Sequence, residues 1–288
     1  MKPVLVILGQ TATGKSDLAV KLAKKFNGEI ISADSRQVYK GLDIGTGKIT
    51  KKEERGVPHH LLDVISPKKR FSVAEYKRLA DIKIGEILEQ EKIPIICGGA
   101  GFYIDSVTKG QVFPEVPPNY KLRKRISLLD GRQLLMRLKK LDPARAKNID
   151  PKNKVRLIRA IEIAKALGKV PKITEVKPMY KFIKIGLYLP AEKLKKNVEK
   201  RVKKMFKSGL LKEIKKLKRT GVSEKRLREL GFEYYEPTEE KVINETIKYA
   251  KRQMTWFKRD KEIKWLDASR KSDLAKQMRA LVLLRGKK

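Results

Sequence analysis

Residues 9–16 read Gly-Gln-Thr-Ala-Thr-Gly-Lys-Ser, a complete G-x-x-x-x-G-K-S phosphate-binding loop. Such a loop needs a strand before it and a helix after it, and both are legible. Val4–Leu8 is an apolar run of strand length, and Leu18, Leu22 and Ala23 recur at helical spacing. Gly9 and Gly14 permit the tight turn. The N–H groups of Gln10, Thr11, Ala12 and Thr13 then face inward, and the helix N-terminus adds positive potential. Lys15 can reach terminal phosphates, and the Ser16 hydroxyl suits a Mg²⁺ ion shared with phosphate oxygens. The loop predicts a bound di- or triphosphate and leaves open what that phosphate is attached to.

The first hundred residues alternate strand and helix. Strands are predicted at 4–8, 29–33 and 93–97 and helices at about 15–26 and 72–90. This is the βαβ rhythm of a P-loop-like parallel sheet flanked by helices, with ligands at the carboxyl ends of its strands. Three ligand-competent segments fall just beyond those ends: the phosphate loop, Asp34-Ser35-Arg36-Gln37, and Gly98-Gly99-Ala100-Gly101. Residues 111–120 carry Pro114, Pro117 and Pro118, a stiff connector. A helical, basic stretch follows, ending at the Gly168 and Pro171 breakers, and 182–189 reads as a returning strand. The expected organisation is therefore a catalytic core of 1–110 and 176–288 with an insertion at 111–175. Helices are predicted at about 191–218 and 239–259, then a strand near 263–266 and a final helix.

Charge narrows the partner. The formal net charge is +37, an excess that costs stability by self-repulsion unless an anionic partner offsets it. It is concentrated: residues 191–219 carry 13 basic and 3 acidic side chains, and residues 121–147 carry 10 and 2. One such segment reads as a solvated helix face, but two together favour a phosphate backbone as ligand. No apolar stretch approaches the ~20 residues of a membrane span and no signal peptide is visible, so a cytoplasmic protein without a membrane partner is expected. Cys97, the single cysteine, cannot form an internal disulfide and reads as a core thiol.

Several residues admit a bland reading beside a chemical one. Asp34 and Ser35 suit a helix N-cap, but beside the loop an Asp34 carboxylate can also ligate a metal indirectly or act as a general base. Arg36 and Gln37 can contact a base or a backbone. Gly98–Gly101 is either a plain strand–helix turn or a place where a planar ligand approaches the backbone. His59 and His60 read as structural. Arg252 can turn toward an anion while Trp256 packs in the core, or belong to a solvated face. Arg156 and Arg159, three apart, suit either phosphates or acidic partners within the chain.

Taken together, the set resembles the bacterial-type tRNA dimethylallyltransferases, also called tRNA isopentenyltransferases. The resemblance rests on residues 9–16, on Asp34 to Tyr39, on Gly41 to Thr46, and on Pro58 to Asp63. It continues through Gly98-Gly99, Arg156 to Glu162 and Lys251 to Trp256, in family order across about residues 3–266. It implies transfer of a dimethylallyl group from dimethylallyl diphosphate to N6 of adenosine 37, beside the tRNA anticodon. By that likeness the loop, with Thr13 near the phosphates, holds the diphosphate with Mg²⁺ at Ser16. Asp34 takes the N6 proton, and Lys15 and Arg252 stabilise the departing diphosphate. The anticodon stem-loop would meet Asp34, Ser35, Arg36, Gln37 and Ala100, together with Arg123, Val155, Arg156, Leu157, Ile158 and Arg159. A monomer is expected. Three positions depart from the family pattern: Ala100 replaces a threonine, Val155 replaces a polar residue, and Gly231-Phe232-Glu233 stands where a base usually follows Gly-Tyr. The rival is a small-molecule kinase using ATP, which leaves the net charge unexplained and lacks a strand ending in a metal-binding Asp. A non-catalytic RNA-binding protein is a third reading, which intact Lys15, Ser16 and Asp34 disfavour.

Overall fold

The computed structural model describes residues 2–270; the final helix expected from sequence lies outside them. The chain divides into two compact units, one of residues up to 110 and from 177 onward, the other of residues 111–176.

The larger unit begins with β1 (Pro3–Gly9), α1 (Lys15–Phe26), β2 (Gly28–Ala33), α2 (Lys51–Glu54) and β3 (His59–His60). It continues with α3 (Val73–Glu89), β4 (Ile93–Gly98) and α4 (Gly101–Thr108). The smaller unit holds β5 (Gln111–Val112), α5 (Tyr120–Ile126), α6 (Gly131–Leu141), α7 (Pro143–Lys147), α8 (Lys154–Leu167) and β6 (Thr174–Glu175). The larger unit resumes with β7 (Lys181–Tyr188), α9 (Ala191–Lys207), α10 (Leu210–Arg219), α11 (Glu224–Leu230), α12 (Glu239–Phe257) and β8 (Lys264–Asp267).

Six strands form one parallel sheet in the order β3-β2-β4-β1-β7-β8. Both faces are covered, which is why β1 reads as an unbroken apolar run. Val4, Val6 and Leu8 pack under α3 and α4, while Leu5 and Ile7 pack under α1. Because β2, β4 and β1 are neighbours, their carboxyl ends bring the three ligand-competent segments side by side, as the βαβ rhythm predicts.

The smaller unit closes with β5 pairing antiparallel to β6, and residues 113–119, with their three prolines, take no regular structure. Its core is Leu122, Ile126, Leu134, Leu138, Leu157 and Ile161. Helix α8 stops at Gly168, whose φ of +79° suits a residue without Cβ.

The basic stretch 191–218 is not one helix. Gly209, at φ +102°, breaks it into α9 and α10. The break lets Leu210, Ile214 and Leu217 turn into a core with Val38, Leu42 and Tyr234. It also aims Glu213 at the loop before the site. Glu213 accepts from the N–H groups of Asp43 (3.0 Å), Ile44 (2.8 Å) and Gly45 (3.1 Å) and from the Tyr234 hydroxyl (3.0 Å). Glu213→Ala should therefore cost about 2–3 kcal/mol, because removing a charged acceptor leaves four donors unmatched. Urea unfolding checks this, and an unchanged midpoint would contradict it.

Candidate active site

At the carboxyl end of the sheet lies a cavity of about 380 Å³. The phosphate loop contributes Thr11, Ala12, Gly14, Lys15 and Ser16 to its wall, the β2 end Asp34 and Gln37, and the β4 end Cys97, Gly98 and Gly99. Arg201 of α9 and Tyr249 and Gln253 of α12 join them, and Asp17, Gly47, Ile49, Glu53 and Arg55, which pairs with Asp17, make up the rest.

The loop is locked by its own polar groups. Gly9 has φ +125°, and a Cβ there would lie 2.1 Å from the Leu187 carbonyl, so β7 approaches the turn as closely as glycine allows. The Thr13 hydroxyl donates to the Gln10 carbonyl at 2.7 Å. Buried Gln253 receives the Thr11 N–H on Oε1 at 2.8 Å and donates from Nε2 to the Gly99 carbonyl at 2.9 Å, tying the loop to the end of β4. Gln10 accepts the Leu189 N–H at 3.3 Å, tying it to the end of β7.

Lys15 turns its ammonium back onto the Gln10 carbonyl at 2.6 Å. Burial lowers its pKa to about 8, and the Arg201 guanidinium pushes the same way, while Cys97 and Asp34 oppose them. Burial also lowers the Arg201 pKa, and the half-buried Arg201 side chain donates to the Thr46 carbonyl at 2.8 Å. Gly47 leaves room for it: a Cβ there would lie 2.2 Å from Arg201 Nη2. Two cations thus converge on one cavity in a poorly solvated setting, where only an anion offsets the cost of their charge.

Asp34 Oδ1 accepts from the N–H groups of Arg36 at 2.8 Å and Gln37 at 3.3 Å. These residues form turns, so Asp34 caps a turn instead of starting a helix. Both of those donors converge on Oδ1, and Asp34 lines the cavity. Gln37 also lines the cavity, and Arg36 donates to the Glu229 carbonyl at 2.9 Å. Ser35 and Ala100 are half-buried at the ends of β2 and β4. Glu233 lies within electrostatic reach of Arg36, Asp34 and Arg201, and burial pushes its carboxyl up to about 7. Cys97 is a buried thiol raised by burial to about 11. His60 holds Glu29 at 2.6 Å and His59 the Val57 carbonyl at 2.8 Å, both structural.

The wall's oxygen donors that suit a divalent cation include Ser16 and Asp34, while Asp17 is held by Lys21 and Arg55 and Glu53 by Thr50. Among the described residues no group of three or more His, Cys, Asp or Glu can hold a metal. Such a sparse donor set fits Mg²⁺, which keeps most of its waters and binds through substrate phosphates.

Several expected site residues fall elsewhere. Arg252 is exposed on α12 and absent from the cavity wall, its guanidinium 5.8 Å from the Tyr249 ring. Helical spacing sends Tyr249 and Gln253, four apart, inward instead. The cation that sequence reasoning missed is Arg201, hidden in a run of lysines. Its one signal is the partner four residues earlier: Asn197 donates to the Ala12 carbonyl at 3.1 Å from the same helix face.

In the smaller unit, Arg123 and Arg159 are engaged within the chain. Arg123 grips Glu162 with two bonds of 2.8 Å, and Arg159 bonds Glu162 at 2.7 Å and the Val116 carbonyl at 2.8 Å. Leu157 is fully buried and packs in the core, so its side chain cannot face a ligand. Ile158 is half-buried, while Val155 and Arg156 are exposed at the start of α8.

A glycine loop between a parallel strand and a helix, with a half-buried lysine and arginine and a carboxylate on one cavity, defines a phosphate-loop enzyme of group transfer. The chain belongs to the IPP transferase family, whose model matches residues 37–260. It is 39% identical over 289 residues to the tRNA dimethylallyltransferase of Halothermothrix orenii, covering 92% of this chain and 88% of that one. The solved tRNA isopentenylpyrophosphate transferase of Bacillus halodurans superposes with TM-score 0.73 at 34% identity, over 99% of this chain and 96% of that one. A eukaryotic dimethylallyltransferase solved acting on tRNA gives TM-score 0.77 at 29% identity, over 93% of this chain and 74% of that one.

The lowered Lys15 pKa has a direct consequence. Its ammonium is protonated below about 8 in the free protein and is lost as pH rises through that value. A bound diphosphate raises that pKa, so binding at about pH 8.5 should take up at most about three-quarters of a proton. Calorimetry in buffers of different ionisation enthalpy measures this uptake, which should vanish in Lys15→Ala. No uptake by the unsubstituted protein would contradict it.

Proposed function

We propose that this chain is a tRNA dimethylallyltransferase, moving the dimethylallyl group of dimethylallyl diphosphate onto N6 of adenosine 37 beside the anticodon. The observation that carries the proposal is the meeting of Lys15, Arg201 and Asp34 in one cavity. Diphosphate leaves as its bond to the allylic carbon breaks, and negative charge grows on the departing oxygen. Lys15, Arg201 and the loop N–H groups stabilise that charge. The N6–C bond forms as the old C–O bond breaks, and the N6 proton passes to Asp34. An aromatic amine is a weak nucleophile, so a carboxylate placed to accept that proton lowers the barrier. Ser16 would hold Mg²⁺, which would supply charge neutralisation to the diphosphate.

Adenosine 37 must leave the anticodon-loop stack to reach the cavity. Ser35, Arg36, Gln37 and Ala100 stand at the strand ends where the nucleoside would enter, and exposed Arg156 and Val155 are the insertion's candidates for meeting the anticodon stem. Glu162 already claims Arg123 and Arg159, which we read as positioning groups within the insertion. No helix among the described residues is long and apolar enough to cross a membrane. We read the chain as a monomer acting in the cytoplasm, because one copy supplies the loop, both cations and the carboxylate of the site.

The test is prenylation of an anticodon stem-loop with dimethylallyl diphosphate and Mg²⁺. Asp34→Asn should lower kcat by ~10²–10⁴-fold with little change in RNA affinity. A stem-loop with guanosine at position 37 should stay unmodified, because the attacking N6 amine is gone. Near-normal kcat in Asp34→Asn would remove its role as base.

The cavity also separates the two arginines. Arg201→Ala should lower kcat by ~10²–10³-fold, as expected for loss of one fixed stabiliser of developing charge. Arg252→Ala should change it far less. Equal losses would return Arg252 to the reaction centre.

A further inference from the structure

Helices α9 and α10 sort their charges by side. Inward they present Leu194, Val198, Val202, Met205, Leu210, Ile214 and Leu217. Of their three acids, Glu213 is spent on the 43–45 loop and Glu199 is half-buried, leaving Glu192 exposed. Outward stand lysines, including Lys193, Lys196, Lys200, Lys203 and Lys207, which recur every three or four residues along one face of α9. Among the described residues the one ion pair made by a lysine of these two helices is Lys218 with Glu224.

This is not the chain's habit. Helix α3, like α9, is 17 residues long. There Lys77 pairs with Asp81 and Lys83 with Glu86. Like charges three and four apart on a helix repel one another, so an unpaired row destabilises the free protein. An anionic partner that releases counterions on binding reverses that balance. The row also leads to the active site, since Asn197 and Arg201 of the same helix meet the phosphate loop and the cavity. At ~1.5 Å per residue α9 runs about 25 Å, long enough to follow a strand of nucleic acid across several phosphates.

We infer that the exposed lysine face of α9 and α10 is a second RNA surface, distinct from the insertion, which takes the sugar–phosphate backbone of the substrate RNA without reading its sequence. This rests on the prenyl-transfer reading for the identity of the RNA. The surface acts on capture and adds nothing to the chemical step.

The test uses the full chain with Lys196→Gln, Lys203→Gln and Lys207→Gln combined, three exposed positions with glutamine as a comparable helix former. The log–log dependence of tRNA affinity on salt should flatten by up to ~2, about 0.7 for each single-strand phosphate that is no longer neutralised. KM for tRNA should rise while kcat at saturating RNA and diphosphate affinity stay unchanged. Thermal stability without RNA should hold or rise, since repulsion has been relieved; this also shows that the variant folds. An unchanged salt slope would overturn the proposal, as would unchanged tRNA binding with weakened binding to phosphatidylglycerol vesicles. Prenylation of the stem-loop by the unsubstituted chain is scored in parallel. If it fails while the salt slope responds, the reaction assignment falls and the RNA surface stands.

Discussion

The side-chain amide of Gln253 holds the site together. Its oxygen fixes the Thr11 N–H of the phosphate loop and its nitrogen fixes the Gly99 carbonyl at the end of β4. Two glycine-bearing turns that could each adopt many conformations are thereby set at one spacing. The same amide explains Gly99, where a Cβ would lie 2.1 Å from Gln253 Nε2. An amide suits this place because it donates and accepts at once and carries no charge into a cavity meant for an anion. Everything at the site hangs from that frame: Gly14 caps the start of α1, Lys15 folds back over the loop, and α12 brings Tyr249 in beside Gln253.

On that frame the electrostatics are arranged for an anionic ligand. Lys15 and Arg201 are both desolvated and their charges disfavour each other. A diphosphate removes both penalties, and more so as it departs and gains charge, which is the condition for catalysis instead of mere binding. Asp34 is the counterweight. Its Oδ1, committed to two backbone N–H groups, keeps the carboxylate in place. Glu233, at about 7, adds a second carboxyl beside Asp34 and Arg36 where the family pattern has a base.

Much of this is legible in the sequence, for identifiable reasons. A parallel sheet buried on both faces writes its strands as short continuous apolar runs, so 4–8, 29–33, 93–97 and 182–189 stand out. The two-residue β3 and the β5–β6 pairing carry no such signal, because they are too short for a pattern to register. The break at Gly209 is masked by lysines that continue the helical period on both sides. Site chemistry follows the same division. Residues within one motif, such as Lys15, Ser16 and Asp34, can be found because local sequence fixes their place. Arg201 escapes notice because it is one of 13 basic residues in its segment, and only packing selects which of them turns inward. For the same reason sequence leaves Arg252 open between an anion and a solvated face, and the fold places it exposed. Arg159 suits phosphates or acids equally until Glu162, nearly fully buried, claims it together with Arg123.

On this reading the phosphate loop holds a leaving group, not a phosphoryl donor. A kinase built on the same loop would break a bond between phosphates; the proposed reaction at this site, where Asp34, Lys15 and Arg201 line one cavity, breaks the bond between carbon and oxygen. The measurement that separates them is the fate of a doubly labelled donor, with one isotope at the allylic carbon of dimethylallyl diphosphate and another at its terminal phosphorus. Carbon label is expected on N6 of the anticodon-loop adenosine while both phosphorus atoms leave together as free diphosphate, one per nucleoside modified. Phosphorus label on the acceptor, or transfer of the γ-phosphate of ATP to a small molecule with the RNA untouched, would contradict it.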